Sequence, residues 1–313
     1  MATIEDGPGQ EPGPGPGPGP APIDPLVELD SVHLGAETVG RYLRRHGLGA
    51  MRRFSQNHLV DGEVLESIIA SAALTPGQRV LEIGPGIGVL TAALLRAHAD
   101  VTAVEVDRRL AAHLRERFEG VPGLRLVEGD FLDEQLGDLV ADPWDLVANL
   151  PYHITSPALH RVLEHEPRPA RFVLMLQREV AERVAAPAGG KSYLSVFVQY
   201  HADVTVARVV PARAFEPAPE VESAVLVGVT RPRRLDAAAE TDLWRLVQAG
   251  FRERRKMLHN VLPRQLPAIG RARFTDALAA TGIADDRRPQ TLSVEEWLAL
   301  ADAVGPLGPP TGR

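Results

Sequence analysis

The sequence predicts an α/β fold, a parallel sheet covered by helices on both faces, followed by a smaller all-helical unit. Three observations carry this reading. Short apolar runs alternate with amphipathic stretches from Val80 to Gln177, and a glycine-rich turn, "GPGIG", joins the first run to the first stretch. Beyond "TRPRR", four segments of helical period follow one another with no strand between them.

The elements follow in order. The opening "EDGPGQEPGPGPGPGPAP" alternates proline with glycine and cannot bury a core, so residues 1–25 are read as a disordered tail. "RVLEIG", "VTAVEV", "LRLVEGD", "WDLVANL" and "RFVLMLQ" read as strands, with "VLTAALLRAHA" and "RRLAAHLRERF" as crossover helices. "LSVFVQYH" fits either a strand or a helix. "VTVARVV" and "VESAVLVGV" read as two late strands joined by the proline-rich "PARAFEPAPE". Residues 26–230 are thus expected to form the sheet domain. Residues 231–304 form the helical one through "TDLWRLVQAGF", "RERRKMLHNVL", "RFTDALAATG" and "SVEEWLALADAV", and 305–313 form a flexible tail.

Composition bounds the function. The 313 residues are 44% hydrophobic, enough for one large domain plus a small one. No run is long enough to span a bilayer and the start is neither basic nor apolar, so a cytoplasmic protein without membrane contact is expected. With no cysteine, thiolate catalysis, disulfides and cysteine-ligated zinc are excluded. The net charge of −7 argues mildly against a protein that coats nucleic acid, but local patches govern binding. Arg41, Arg44, Arg45, Arg52 and Arg53 form one basic cluster, and Arg252, Arg254, Arg255 and Lys256 form another. Either is a solvated helix face or a phosphate-binding surface.

Gly84, Gly86 and Gly88 in "VLEIGPGIGVLT" stand between a buried strand and a helix, spaced G-x-G-x-G rather than as a dinucleotide pyrophosphate loop. About twenty residues on, Glu105 ends the next strand, where a carboxylate accepts both ribose hydroxyls of an adenosine. Asp130 ends the strand after that, placed to accept from adenine's exocyclic amine, with Phe131 able to cover the base. Glu82 precedes the glycines. Without a pyrophosphate loop, S-adenosylmethionine fits this set better than NAD.

The fourth strand runs into "NLPYHITSP". Proline lacks an amide donor and holds the residue before it extended, so the chain leaves the sheet at Leu150. Asn149 and Tyr152 are thereby presented at a strand's carboxyl end, where open α/β sheets bind ligands.

With "SQNHL", "EIGPGIGVLT", "NLPYHITSP", "FEPAPEVESAV" and "FRERRKMLHNVL", the chain resembles the ribosomal RNA adenine dimethyltransferases over nearly everything but its tails. The resemblance implies a Rossmann-like, seven-stranded class I methyltransferase sheet with a small C-terminal helical domain. It implies S-adenosylmethionine as cofactor and small-subunit ribosomal RNA, in an assembling particle, as partner of a monomeric enzyme. Asn149, Leu150, Pro151 and Tyr152 would surround the target adenine. An Asn149 oxygen and the Leu150 carbonyl would accept its amine hydrogens, and Tyr152 would stack on the extruded base. Asn57 and Leu59 would close over the methionine part of the cofactor. Ser55 stands where the family usually has glycine, which alters the backbone angles open to that segment. Phe215 would either pack on the flipped base or anchor its proline-rich loop. Arg252, Arg254, Arg255 and Lys256 would contact RNA phosphates from a helix striped by Phe251, Arg255 and Leu258.

His160, Glu164, His165 and Glu166 lack the H-E-x-x-H spacing, so no metal site is expected. Two rivals remain: the same chemistry on large-subunit RNA, as in the antibiotic-resistance branch, and a non-catalytic assembly or transcription factor on the same fold. Degraded site residues would mark the latter, and here Glu105, Asp130, Asn149 and Tyr152 are all present.

Overall fold

A computed structural model describes residues 38–48 and 57–309. A short helix, α1 (Val39–Arg45), precedes the two-residue strand β1 (His58–Leu59) and α2 (Gly62–Ala72). The alternating region then follows: β2 (Arg79–Ile83), α3 (Val89–Arg96), β3 (Asp100–Glu105), α4 (Arg108–Arg117), β4 (Leu124–Glu128), α5 (Leu136–Leu139), β5 (Asp145–Asn149), α6 (Thr155–Glu164), β6 (Arg171–Gln177) and α7 (Arg178–Val184). Next come α8 (Tyr193–His201), β7 (Ala202–Val210), β8 (Phe215–Glu216) and β9 (Ser223–Thr230). The helices α9 (Ala237–Phe251), α10 (Leu258–Gln265), α11 (Arg271–Ala280) and α12 (Val294–Val304) complete the chain.

Seven strands form one sheet in the order β4-β3-β2-β5-β6-β9-β7, with β9 antiparallel to both neighbours and the other adjacent pairs parallel. The order reverses between β2 and β5, which opens a crevice at their carboxyl ends. Both faces are covered. Within β5, Val147 packs into the core under α2 and α3, whereas Leu146 and Ala148 pack on the opposite face with α6. The continuous apolar runs of the sequence are the signature of strands buried on two sides.

"LSVFVQYH" resolves as helix α8. Ser192 caps it reciprocally with Ser195, satisfying amides that a strand would have sent to a ladder. Val196 and Tyr200 on α8 also enter the core of the helical unit beside Leu243, Leu258, Phe274 and Trp297.

Two sequence expectations are corrected. "RERRKM" is a turn, not the start of a helix: α9 ends at Phe251 and α10 begins at Leu258. The Glu253 carboxylate hooks back onto Arg264 and Gln265 of α10, and Leu258 N donates to Arg287 O, so tertiary contacts override a helical period. The expected stripe of Phe251, Arg255 and Leu258 therefore does not exist. Nor do the first residues after α12 trail free. Leu307 is buried and its amide donates to Asp242 Oδ2 at 2.9 Å, while Arg273 Nη2 donates to Pro306 O at 3.2 Å.

Residues 1–37, Arg52, Arg53, Ser55 and 310–313 lie outside the described residues. Among the described residues no helix is long and apolar enough to cross a membrane.

Candidate active site

A cavity of about 180 Å³ opens at the carboxyl edge of β2, β3, β4 and β5. Its wall contains Asn57, Leu59, Gly84, Gly86, Glu105, Asp130, Asn149, Leu150, Pro151 and Tyr152, so the topology gathers the site residues proposed for cofactor and target base.

The glycine loop is shaped for close approach. Gly86 sits at φ +61°, and a Cβ there would stand 3.4 Å from His58 Nδ1, narrowing the space a ligand would use. Gly88 serves packing instead. A Cβ at that position would come within 2.8 Å of Leu114 on α4 and of Phe118 just past its end, so glycine is what lets α3 and α4 meet.

Glu105 fixes this loop. Its Oε2 accepts from Gly86 N at 3.0 Å and its Oε1 from Asp107 N at 2.9 Å. Burial pushes its carboxyl above the usual range, and the two amides oppose that push. The Val106 amide opposes it too, so three of the carboxylate's roughly four acceptor sites are engaged and one is left for a further donor. Asp130 is exposed at the next strand end, one oxygen accepting from Leu132 N at 2.9 Å. Phe131 is buried in the same wall. Glu82 is fully buried and its pKa is pushed up to about 8, chiefly by burial and further by Glu105, against a hydrogen bond from Thr91.

At β5 the side chain of Asn149 is half-buried, and its Nδ2 makes a long 3.5 Å contact with Asn57 O. That orientation turns Oδ1 away from Asn57 as an acceptor. Leu150 N donates to Met175 O at 3.1 Å, the last tie to β6 before Pro151 diverts the chain. Tyr152 opens a single 3₁₀ turn, Tyr152–Ile154, with its hydroxyl 2.8 Å from Ser223 Oγ on β9.

Phe215 does not join this wall. It is buried in the core, in β8, opposite Leu59 in an antiparallel pair, so of its two readings the structure adopts the anchor. Arg252, Arg254, Arg255 and Lys256 are exposed on the α9–α10 turn, where Arg254 Nη2 also reaches Lys191 O at 3.3 Å. The His160 ring stacks on Tyr193 and packs on Phe197, with Glu164 3.3 Å from its Nδ1, which accounts for it as a packing residue.

Three residues in the wall or touching it escaped the sequence reading. Thr91 carried a signal, being the one hydroxyl in the apolar run "VLTAALL". His58 lines the cavity between Asn57 and Leu59, and burial holds its imidazole down at about 4, against the charge of Glu216. Ser223 stands in "FEPAPEVESAV" at the start of a strand, but nothing local to it points to Tyr152.

A Rossmann-like sheet with an acid at the ends of β3 and β4, a glycine turn after β2 and an Asn-Leu-Pro-Tyr exit from β5 defines a class I, nucleoside-cofactor methyltransferase. Comparison with known proteins narrows the class. The ribosomal RNA adenine dimethylase family model matches residues 48–304. The chain is 41% identical over 274 residues to the ribosomal RNA small subunit methyltransferase A of Geobacter metallireducens, covering 85% of this chain and 99% of the relative. It is 42% identical over 269 residues to the protein of the same name from Geobacter sulfurreducens, covering 84% and 98%.

Among solved structures, a dimethyladenosine transferase from Plasmodium falciparum superposes with TM-score 0.67 at 26% identity, over 78% of this chain and 95% of that one. The 23S rRNA methyltransferase ErmE superposes with TM-score 0.65 at 31% identity, over 79% and 99%. The chain belongs to the ribosomal RNA adenine dimethylase family. It is an S-adenosylmethionine-dependent RNA methyltransferase.

Proposed function

We propose that this enzyme dimethylates the exocyclic amines of two adjacent adenosines near the 3′ end of small-subunit (16S) ribosomal RNA, and so contributes to ribosome biogenesis. The observation that carries the reading is the Asn149–Tyr152 segment on the wall of the strand-end cavity, in a chain about 40% identical to small-subunit enzymes. The relatives at 41% and 42% identity are both named as small-subunit enzymes, which favours the small subunit. The substrate is an assembling particle in the cytoplasm. The enzyme works as a monomer.

The residues fit the cofactor. Glu105 has acceptor capacity left for a ribose hydroxyl, and Asp130 can accept from the adenine amine. Glu82 offers a buried carboxylate to the cationic methionine part, which Asn57 and Leu59 border. When bound, S-adenosylmethionine supplies an electrophilic methyl carbon. The rest falls to this chain. The target amine is conjugated into its ring and is a poor nucleophile. Asn149 Oδ1 and the Leu150 carbonyl accept its hydrogens, which localises the nitrogen lone pair and aims it at the methyl. Tyr152 supplies a stacking face for the extruded base, and Pro151 holds the two acceptors at a constant separation.

The test incubates the purified chain with small- and large-subunit particles lacking these methyl groups, plus cofactor, and maps the RNA by mass spectrometry. Paired dimethyladenosines in small-subunit RNA alone are expected. Methylation confined to large-subunit RNA, or none, overturns the reading. Asn149→Ala should abolish turnover far more than it weakens binding of particle or cofactor. Near-normal turnover would leave the tetrapeptide as a mere turn.

A further inference from the structure

We infer that Ser223 is a positioning residue for methyl transfer: its hydroxyl holds the Tyr152 ring in the orientation that receives the target base. The inference rests on the function proposed above and adds to it a residue from another strand. Tyr152 stands in one 3₁₀ turn between β5 and α6, and the bond between its hydroxyl and Ser223 Oγ, at 2.8 Å, is its only side-chain hydrogen bond among the described residues. A ring tethered only at its Cα side can turn about two side-chain torsions. A bond at the far end of the ring removes that freedom before the base arrives.

Ser223 itself is immobilised. It has no exposed surface, opens β9, and is registered against Gln177 of β6 on one side and Val210 of β7 on the other. The residue before it is clamped as well. Arg178 N donates to Glu222 O at 2.9 Å, and Arg178 Nη1 meets Glu222 Oε2 at 2.8 Å, while Nε meets Glu182 at 2.7 Å. The hydroxyl that meets Tyr152 is thus presented by a rigid strand end. A serine is the smallest side chain that could make this bond at a fully buried position, whereas alanine would leave a half-buried phenol without its partner.

The experiment compares Ser223→Ala, Tyr152→Phe, the double variant and Ser223→Thr, each checked by thermal melting. Single-turnover methylation is measured against particle concentration. Ser223→Ala and Tyr152→Phe should each raise the half-saturating particle concentration by about tenfold, the scale of one hydrogen bond. The double variant should be no worse than either, because both singles break the same bond. Ser223→Thr should restore most of the loss, and cofactor affinity by calorimetry should not move.

A second measurement needs no substrate. With 3-fluorotyrosine incorporated, the fluorine resonance of Tyr152, assigned by its loss in Tyr152→Phe, should shift and sharpen in Ser223→Ala as the ring is freed. An unchanged resonance overturns the inference even if the wild-type protein proves inactive on small-subunit particles, an outcome that would sink the functional reading instead. Additive losses in the double variant, or wild-type saturation in both singles, also overturn it.

Discussion

Thr91 Oγ1 donates a 2.7 Å hydrogen bond to Oε2 of Glu82, which lines the cavity, and both side chains are fully buried. A carboxyl taken out of water prefers its proton, which is why Glu82 is pushed up to about 8 although the bond from Thr91 favours the charged form.

The first prediction follows from that shift. An acid with a raised pKa in the folded state holds its proton while the unfolded chain has lost it. Stability from Glu82 is therefore present at low pH and is lost as pH rises from the ordinary 4.5 to about 8. Relative to Glu82→Gln, the ligand-free wild type should lose melting temperature across that window and be flat above it. Binding of the cationic cofactor favours the carboxylate, so calorimetry near pH 7 in buffers of different ionisation enthalpy should show proton release. Identical pH profiles for the two proteins would remove Glu82 from this role.

Glu105 carries a second prediction. Its substitution by alanine removes the ribose acceptor and also leaves the Gly86 and Asp107 amides without their partner. Cofactor affinity should fall by about 1–3 kcal/mol, as for a charged hydrogen-bond partner removed from a buried site. Glu105→Gln, which keeps one acceptor oxygen, should lose less. Calorimetry on the folded variants decides, and unchanged affinity would exclude Glu105 from the cofactor site.

The third concerns RNA. Arg252, Arg255 and Lys256 are exposed on the α9–α10 turn and make no side-chain hydrogen bond among the described residues. Reversing all three to glutamate should weaken binding to small-subunit RNA and spare cofactor affinity. The slope of log K against log salt should shrink by roughly 0.7–0.9 for each phosphate no longer neutralised. The same slope in variant and wild type would place the docking surface elsewhere.

Much of the fold and of the site is legible in the sequence. The runs around Leu81, Val147 and Val173 declare strands because both faces are buried and no polar alternation interrupts them. Gly86, Glu105 and Asp130 are legible because each stands where such a run stops, and strand ends at one edge of a parallel sheet converge. What stays hidden depends on partners far away in the chain. The Arg252–Lys256 turn is helical by period and is broken by the bonds that Glu253 makes with α10. Phe215 reads equally as a base platform or an anchor until β8 is seen beside β1. Ser223 is one serine among many until Tyr152 is found against it.

The small β1–β8 pair also bears on how the molecule assembles. It joins His58 to Glu216 and Leu59 to Phe215, with Val60 N donating to Ala214 O at 2.8 Å, and the Glu216 carboxylate takes the Val39 and Gly40 amides at 2.9 and 3.1 Å. These contacts close one of the longest loops in the chain while fixing few residues, so their loop-closure entropy is recovered only once the large sheet has formed. The cofactor-side rim is accordingly expected to form late in folding and to open before the large sheet does. In amide hydrogen exchange, Leu59 and Val60 should lose protection well before β5 or β6.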